Sequence, residues 1–181
     1  TVKDLGFKAC FTEGVDYILE WRSPNYLYRC AGLPVIMRNF KLSDDIAFRF
    51  TCRDWDAWPL TADRYANWVS RTPGDFVPVF IDYETIGEHY WEESGIHEFF
   101  RHLGPEMRRS EVQMVKPSDL LSFPVHDEFS IPLPISWADA EKDATAWIEN
   151  RKQKNAMRAV QRAQSFLCDE QIWRYLQISD H

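Results

Sequence analysis

The most constraining stretch of this chain is Phe76-Val77-Pro78-Val79-Phe80-Ile81, a run that is nearly all apolar and ends on Asp82-Tyr83-Glu84. It is short and lacks the alternation of a half-exposed strand. It reads as a strand covered on both faces, the condition of a strand in a parallel sheet flanked by helices. Two runs upstream have a similar form. Phe7-Lys8-Ala9-Cys10-Phe11 reads as a buried strand closing on Thr12-Glu13-Gly14, and Leu33-Pro34-Val35-Ile36-Met37-Arg38 reads as another.

Helical signals fall between and after these runs. Residues 1–6 read as a helix end stopped by Gly6. Ser43 or Asp44 is placed to cap the apolar stretch that follows, and Trp21 to Asn25 form a loop before it. Residues 55–70 read as helix with Tyr65 and Trp68 on one face. Residues 95–103 set Ile96, Phe99, Phe100 and Leu103 at helical spacing, and Met107 with Arg108-Arg109 reads as its solvated end. Residues 112–115 are a weaker strand candidate, 116–121 open a helical turn, and 124–134 form a Pro-rich connection poor in strands. Residues 139–163 then read as one long charged helix, continued over 166–176. Strand and helix alternate to about residue 125 and helices follow. The pattern predicts an α/β barrel in 1–135 with a helical subdomain in 136–181.

Charge narrows the partners. With 21 Lys+Arg against 28 Asp+Glu the net charge is −7, so a nucleic-acid backbone would be repelled on average. The 15% of aromatic residues supply either a ring-rich core or exposed rings that stack on sugars, and composition does not choose between them. The four cysteines, Cys10, Cys30, Cys52 and Cys168, have no CxxC or CxxH spacing and sit in apolar or aromatic surroundings. They indicate no metal site; they read as small hydrophobes and suggest a reducing cytoplasmic setting. No apolar run approaches the roughly 20 residues that span a bilayer. The chain begins with Thr and stops at His181 directly after a helical run, so it reads as a piece of a longer protein. A targeting segment at the true N-terminus stays open.

Two of the expected strands end in carboxylates, Glu13 and Asp82. In a parallel barrel all strand C-termini open on one face, where active sites lie. A carboxylate pair on that face suits glycoside hydrolysis, in which one group attacks the anomeric carbon and the other protonates the leaving oxygen. The alternative is that either caps a helix or pairs with Arg38.

The surrounding words resemble those of glycoside hydrolase family 57, in the branch named for α-amylases. Phe11-Thr12-Glu13-Gly14-Val15-Asp16 and Trp21-Arg22-Ser23-Pro24-Asn25-Tyr26 resemble its nucleophile region. Residues 42–50 resemble the stretch that follows. Asp82-Tyr83-Glu84-Thr85-Ile86-Gly87-Glu88-His89 resembles its acid/base motif, with Ile86 where Phe is more usual. Leu176-Gln177-Ile178-Ser179-Asp180-His181 resembles the start of its last conserved region, with Ile178 where Thr is common.

The resemblance implies a retaining hydrolase of α-glucans, or of maltooligosaccharides, working without metal or organic cofactor. Glu13 would be the nucleophile and Asp82 the acid/base, in a site that raises the acid's pKa by burial and by the charge of Glu13. Trp21 and Trp91 would stack on sugar, and Glu84, Glu88, His89, Asp180 and His181 would line the cleft. Arg38 and Asp45 are expected in structural pairs, and His97, His102 and His126 have no partners at metal spacing. The resemblance also implies that the chain covers part of a distorted seven-stranded barrel and most of its helical subdomain. The family's early His motif is absent. Such a part would be inactive alone and, with unpaired strand edges, would fold poorly. A 4-α-glucanotransferase or branching enzyme shares the mechanism, and a non-catalytic glucan-binding remnant is the reading from another class. A metal-dependent deacetylase would need His spacing that this chain lacks.

Overall fold

A computed structural model describes residues 2–138, 140–167, 169–175 and 177. The chain divides into two compact units, Thr1–Ile131 and Pro132–His181.

The first unit is built on a four-stranded mixed sheet in the order Cys10–Glu13 (β1), Leu33–Arg38 (β3), Leu27–Cys30 (β2) and Val125–Glu128 (β4). After turns over residues 2–6, which replace the expected helix end, β1 (Cys10–Glu13) leads into the short α1 (Asp16–Leu19). Strands β2 (Leu27–Cys30) and β3 (Leu33–Arg38) form an antiparallel hairpin. Its two-residue turn holds Ala31 at φ 49° and Gly32 at φ 73°. Positive φ at both central positions matches the twist of the strands it joins. The hairpin strand β2 is absent from the sequence reading, in which residues 21–25 form a loop and the next strand is β3. The Ala-Gly pair between two apolar runs is the signal that marks it.

β3 occupies its predicted span. It lies between β1, to which it is parallel, and β2, so Val35, Ile36 and Met37 are buried. The first run fares differently. Its strand starts at Cys10 and forms one edge of the sheet, and Phe7, ahead of the strand, and Phe11 are exposed. The other edge, β4 (Val125–Glu128), pairs parallel to β2 inside the connection expected to be poor in strands.

Helix α2 (Phe40–Ala47) follows β3 directly, and its cap is Asn39, whose side chain accepts from the Leu42 N–H at 3.2 Å. Ser43 and Asp44, the expected caps, lie inside the helix. Helix α3 (Ala62–Arg71) is shorter than expected because residues 55–61 are turns around a cis Trp58-Pro59 bond. Helix α4 (Ile96–Arg109) starts one residue into the expected stretch, with Gly95 as its cap, and runs beyond its end. Met107 is buried with Ile96, Phe99 and Leu103, which corrects its reading as part of a solvated end. One core joins the three helices through Ile46, Phe50, Tyr65, Val69, Ile96 and Phe99. Tyr65 donates its hydroxyl to the Leu42 carbonyl at 3.0 Å, and burial pushes its pKa far up. Residues 112–115 form no strand, and Pro117–Ser122 is a 3-10 helix.

The apolar run at 76–81 is the main correction. It is extended but belongs to no strand of the sheet. Its residues still face both ways. Val77, Val79 and Ile81 pack on the helical core, while Phe76 and Phe80 pack on the cluster of Leu27, Ile36 and Leu120. The apolar pattern therefore reports contacts on both sides, although only Pro78 of the run is buried and the other five residues are half-buried. With no ladder, the segment is held by groups of other elements: the Asn39 N–H donates to the Pro78 carbonyl and the Phe80 N–H to Ser43 Oγ.

The second unit contains α5 (Thr145–Ile148), α6 (Arg151–Ala163) and α7 (Glu170–Tyr175). The long helix expected from 139 is interrupted ahead of Arg151. There the Asn150 side chain accepts from the Gln153 N–H at 3.0 Å and Gln153 accepts from the Asn150 N–H at 2.9 Å. This reciprocal capping box starts a new helix and ends the old one. A 3-10 turn, Gln164–Phe166, follows α6 before the chain leaves helical geometry at Leu167.

Candidate active site

Glu13 and Arg38 are register partners at the C-terminal ends of the parallel strands β1 and β3. Both are 1% exposed. Glu13 Oε2 accepts from Arg38 Nη1 at 2.9 Å, and Oε1 accepts from the Gly14 N–H at 3.0 Å. Gly14 is required for this turn. A Cβ there would stand 2.1 Å from the Arg38 carbonyl oxygen, so any side chain would push the two strand ends apart.

Arg38 reaches beyond Glu13. Its Nη2 donates to Asp44 Oδ1 at 2.6 Å, and its Nε donates to the Phe80 carbonyl at 2.8 Å. The guanidinium thus ties the end of β1 to the segment that delivers Asp82. A second contact does the same. The rings of Phe11, two residues before Glu13, and Phe80, two residues before Asp82, meet edge to face at 5.4 Å between centroids. The expected pairing of Arg38 is present and Asp45 pairs with Arg49. Burial raises the Asp45 pKa, against the pull of Arg49.

Asp82 opens a compact loop. Thr85 N–H donates to the Asp82 carbonyl at 3.1 Å, Tyr90 N–H to the Thr85 carbonyl at 3.2 Å, and Gly87 N–H to the Tyr90 carbonyl at 2.9 Å. Gly87 adopts φ 98°, which favours glycine. Thr85 is buried beneath this loop, and Tyr90 anchors it by donating to the Ala47 carbonyl at 3.0 Å. The side chains of Asp82, Tyr83, Glu84, Glu88, His89 and Trp91 are left exposed together. Trp91 Nε1 donates to the Glu88 carbonyl at 2.7 Å. Asp82 does not have the buried surroundings expected of it; in this chain the enclosed carboxylate is Glu13. Tyr83, at 88% exposure, is an aromatic in the loop that the sequence reading left aside.

Trp21 sits elsewhere in the unit. It is exposed, with the Arg22 guanidinium 4.9 Å from its ring centre, and Arg22 bonds Asp127 of β4 at 2.7 Å. This attaches Trp21 to the opposite edge of the sheet from Glu13. Asp180 and His181 lie outside the described residues. So does Cys168, while Cys10, Cys30 and Cys52 are free thiols, half-buried or exposed rather than in the core. Among the described residues no group of three or more His, Cys, Asp or Glu is arranged to hold a metal ion. Nor is any helix among them long and apolar enough to cross a membrane.

Residues 1–160 match Glycosyl hydrolase family 57. The chain belongs to this family. A protein of Methanocaldococcus jannaschii named "Putative alpha-amylase" is 50% identical over 161 residues, covering 84% of this chain and 34% of that protein. The chain thus spans about a third of the length of that relative. No solved structure matches it. The family 57 match includes both carboxylate words, Phe11–Asp16 and Asp82–His89. It also includes Arg38, the residue between them that the sequence reading set aside as structural.

Proposed function

We propose that this family 57 chain carries the two catalytic carboxylates of a retaining glycoside hydrolase that cleaves α-1,4-linked glucans, with Glu13 as nucleophile and Asp82 as acid/base. The sheet and its helices would form part of a (β/α) barrel, with 136–181 as its helical subdomain. The observation that carries the reading is the double tie between the two words, through Arg38 and through the Phe11–Phe80 contact. A nucleophile and an acid must hold a fixed mutual distance to act on opposite ends of one bond.

In the first step a Glu13 oxygen bonds the anomeric carbon. The C1–O bond breaks with its electrons going to the leaving oxygen, which takes the proton of Asp82. In the second, Asp82 accepts a proton from water as its oxygen attacks C1, and the Glu13 carboxylate is released. Trp91, Glu84, Glu88 and His89 are exposed around Asp82 and would contact the sugar. Glu13 is 1% exposed, so attack requires the chain around it to give way and uncover it.

That burial favours a second reading, in which Glu13 is only the structural partner of Arg38 and the chain binds glucan without cleaving it. The test is kinetic. In the protein at its natural length, Glu13→Gln and Asp82→Asn should each abolish turnover of maltooligosaccharides. Asp82→Asn, at an exposed position, should leave the melting temperature within a few degrees, whereas Glu13→Gln, which breaks the buried pair with Arg38, should lower it. Full activity in either variant would sink the catalytic assignment. Accumulation of longer oligosaccharides by the unmodified protein would identify transfer to a sugar in place of hydrolysis.

A further inference from the structure

The segment that delivers Asp82 lacks a ladder, so its backbone must be held otherwise. Asn25 takes its beginning. The Asn25 carbonyl accepts from the N–H groups of Asp75 and Phe76, and its side chain donates to the Pro73 carbonyl at 3.0 Å. Asn39 takes its middle, donating its N–H to the Pro78 carbonyl at 2.8 Å. Phe80 is gripped at both ends of its own residue. Its N–H donates to Ser43 Oγ at 3.1 Å, and its carbonyl accepts from Arg38 Nε at 2.8 Å. Ser43 is 0% exposed and donates its hydroxyl to the Asn39 carbonyl at 2.7 Å, which fixes the oxygen that receives Phe80.

We propose that Ser43, acting with Arg38, is a positioning residue for the acid/base step, holding Phe80 so that Asp82 meets the oxygen it must protonate. This rests on the catalytic reading above. A serine inside a helix ordinarily turns its hydroxyl back on the preceding turn and does no more. Here the same oxygen also accepts a bond from a segment 37 residues away. The consequence is selective. Ser43 bonds the Asp82 segment and the Asn39 carbonyl, whereas Arg38 also bonds Glu13. Loss of Ser43 should therefore impair proton donation more than nucleophilic attack.

Two substrates separate these steps. A maltooligosaccharide needs its leaving oxygen protonated, while α-maltosyl fluoride expels fluoride without a general acid. General acid catalysis is worth about 10²–10⁴-fold, so partial misplacement of Asp82 should be measurable. In the protein at its natural length, Ser43→Ala should lower kcat/KM for the oligosaccharide about tenfold or more and for the fluoride less than about threefold. Ser43→Cys nearly keeps the side-chain volume and leaves Glu13 and Arg38 untouched, while its sulfur is a weaker acceptor for the Phe80 N–H, so it should show the same split. It carries the test if Ser43→Ala fails to fold. Equal losses on both substrates, or no loss on either, would overturn the positioning role. An unmodified protein that turns over neither substrate would overturn the catalytic reading instead.

Discussion

The two units of this chain hold their helices by different means. In Thr1–Ile131, helices α2, α3 and α4 share one core, and a charged pair is buried at the end of the sheet. In Pro132–His181 no described residue is buried, and Trp147, Ile148, Met157 and Phe166 are exposed. Helices there are set by local hydrogen bonds, such as the Asn150–Gln153 box and the Thr145 N–H bond to Asp143 at 2.7 Å. Short helices without a packed face are marginal in water. The difference implies that stability, and with it the geometry around Glu13, resides in the first unit.

Arg38→Met should break the comparison hardest. It deprives buried Glu13, and also Asp44, of the guanidinium they share, and removing one member of a buried ion pair costs about 3–5 kcal/mol. Hydrogen exchange read segment by segment should show β1, β3 and α2 losing protection while 145–163 does not change. Uniform loss across both units would mean that they unfold together.

Paired truncations sharpen the same contrast. Ile96 is 0% exposed in the α3–α4 core and Ile148 is 41% exposed in α5. Ile96→Ala should cost about 2–5 kcal/mol, whereas Ile148→Ala should stay within about 0.5 kcal/mol. Urea midpoints monitored by exchange in each unit measure both. In the second unit the sensitive position is a cap. Asn150→Ala should cost about 1 kcal/mol, confined to α6, and equal protection of α6 in variant and parent would show that something besides the box holds it.

Sequence legibility followed packing within the first unit. The run at Leu33–Arg38 was readable as a strand because β3 is central, and the apolar spacing of α4 was readable because that face is packed. The run at 76–81 revealed its contacts on both sides but not its pairing. Hydrophobic pattern reports apolar contact and does not report which backbone groups pair: Pro34 sits inside the paired strand β3, while the 76–81 segment, which also holds a proline, joins no ladder. Hairpin strand β2 went unread because its signal is a two-residue turn rather than a long apolar run. At the candidate site the carboxylate words were legible as words. The pairing of Arg38 with a carboxylate was legible as an alternative, but its reach to Asp44 and the Phe80 carbonyl was not, since these partners come from α2 and the 76–81 segment.

The smallest expected effect is in pH dependence, where the two units should differ in sign. Asp45, packed in α2, has its pKa raised by burial, with Arg49 opposing. Its contribution to stability is therefore fully present below the usual carboxylate range and is lost as pH rises through the raised value. Asp143 has its pKa lowered by hydrogen bonds from Thr145, and its contribution is present above the usual range and lost as pH falls through the lowered value. Acidification from neutral pH should first favour the neighbourhood of Asp45 and then, at lower pH, loosen that of Asp143. Asp45→Asn removes the titration and should flatten the first of these trends, and Asp143→Asn the second. Exchange protection of α2 and α5, followed in steps from pH 7 to pH 3 and corrected for intrinsic rates, measures both. Parallel slopes in the two helices would show that these carboxylates do not control the local stability of the units that contain them.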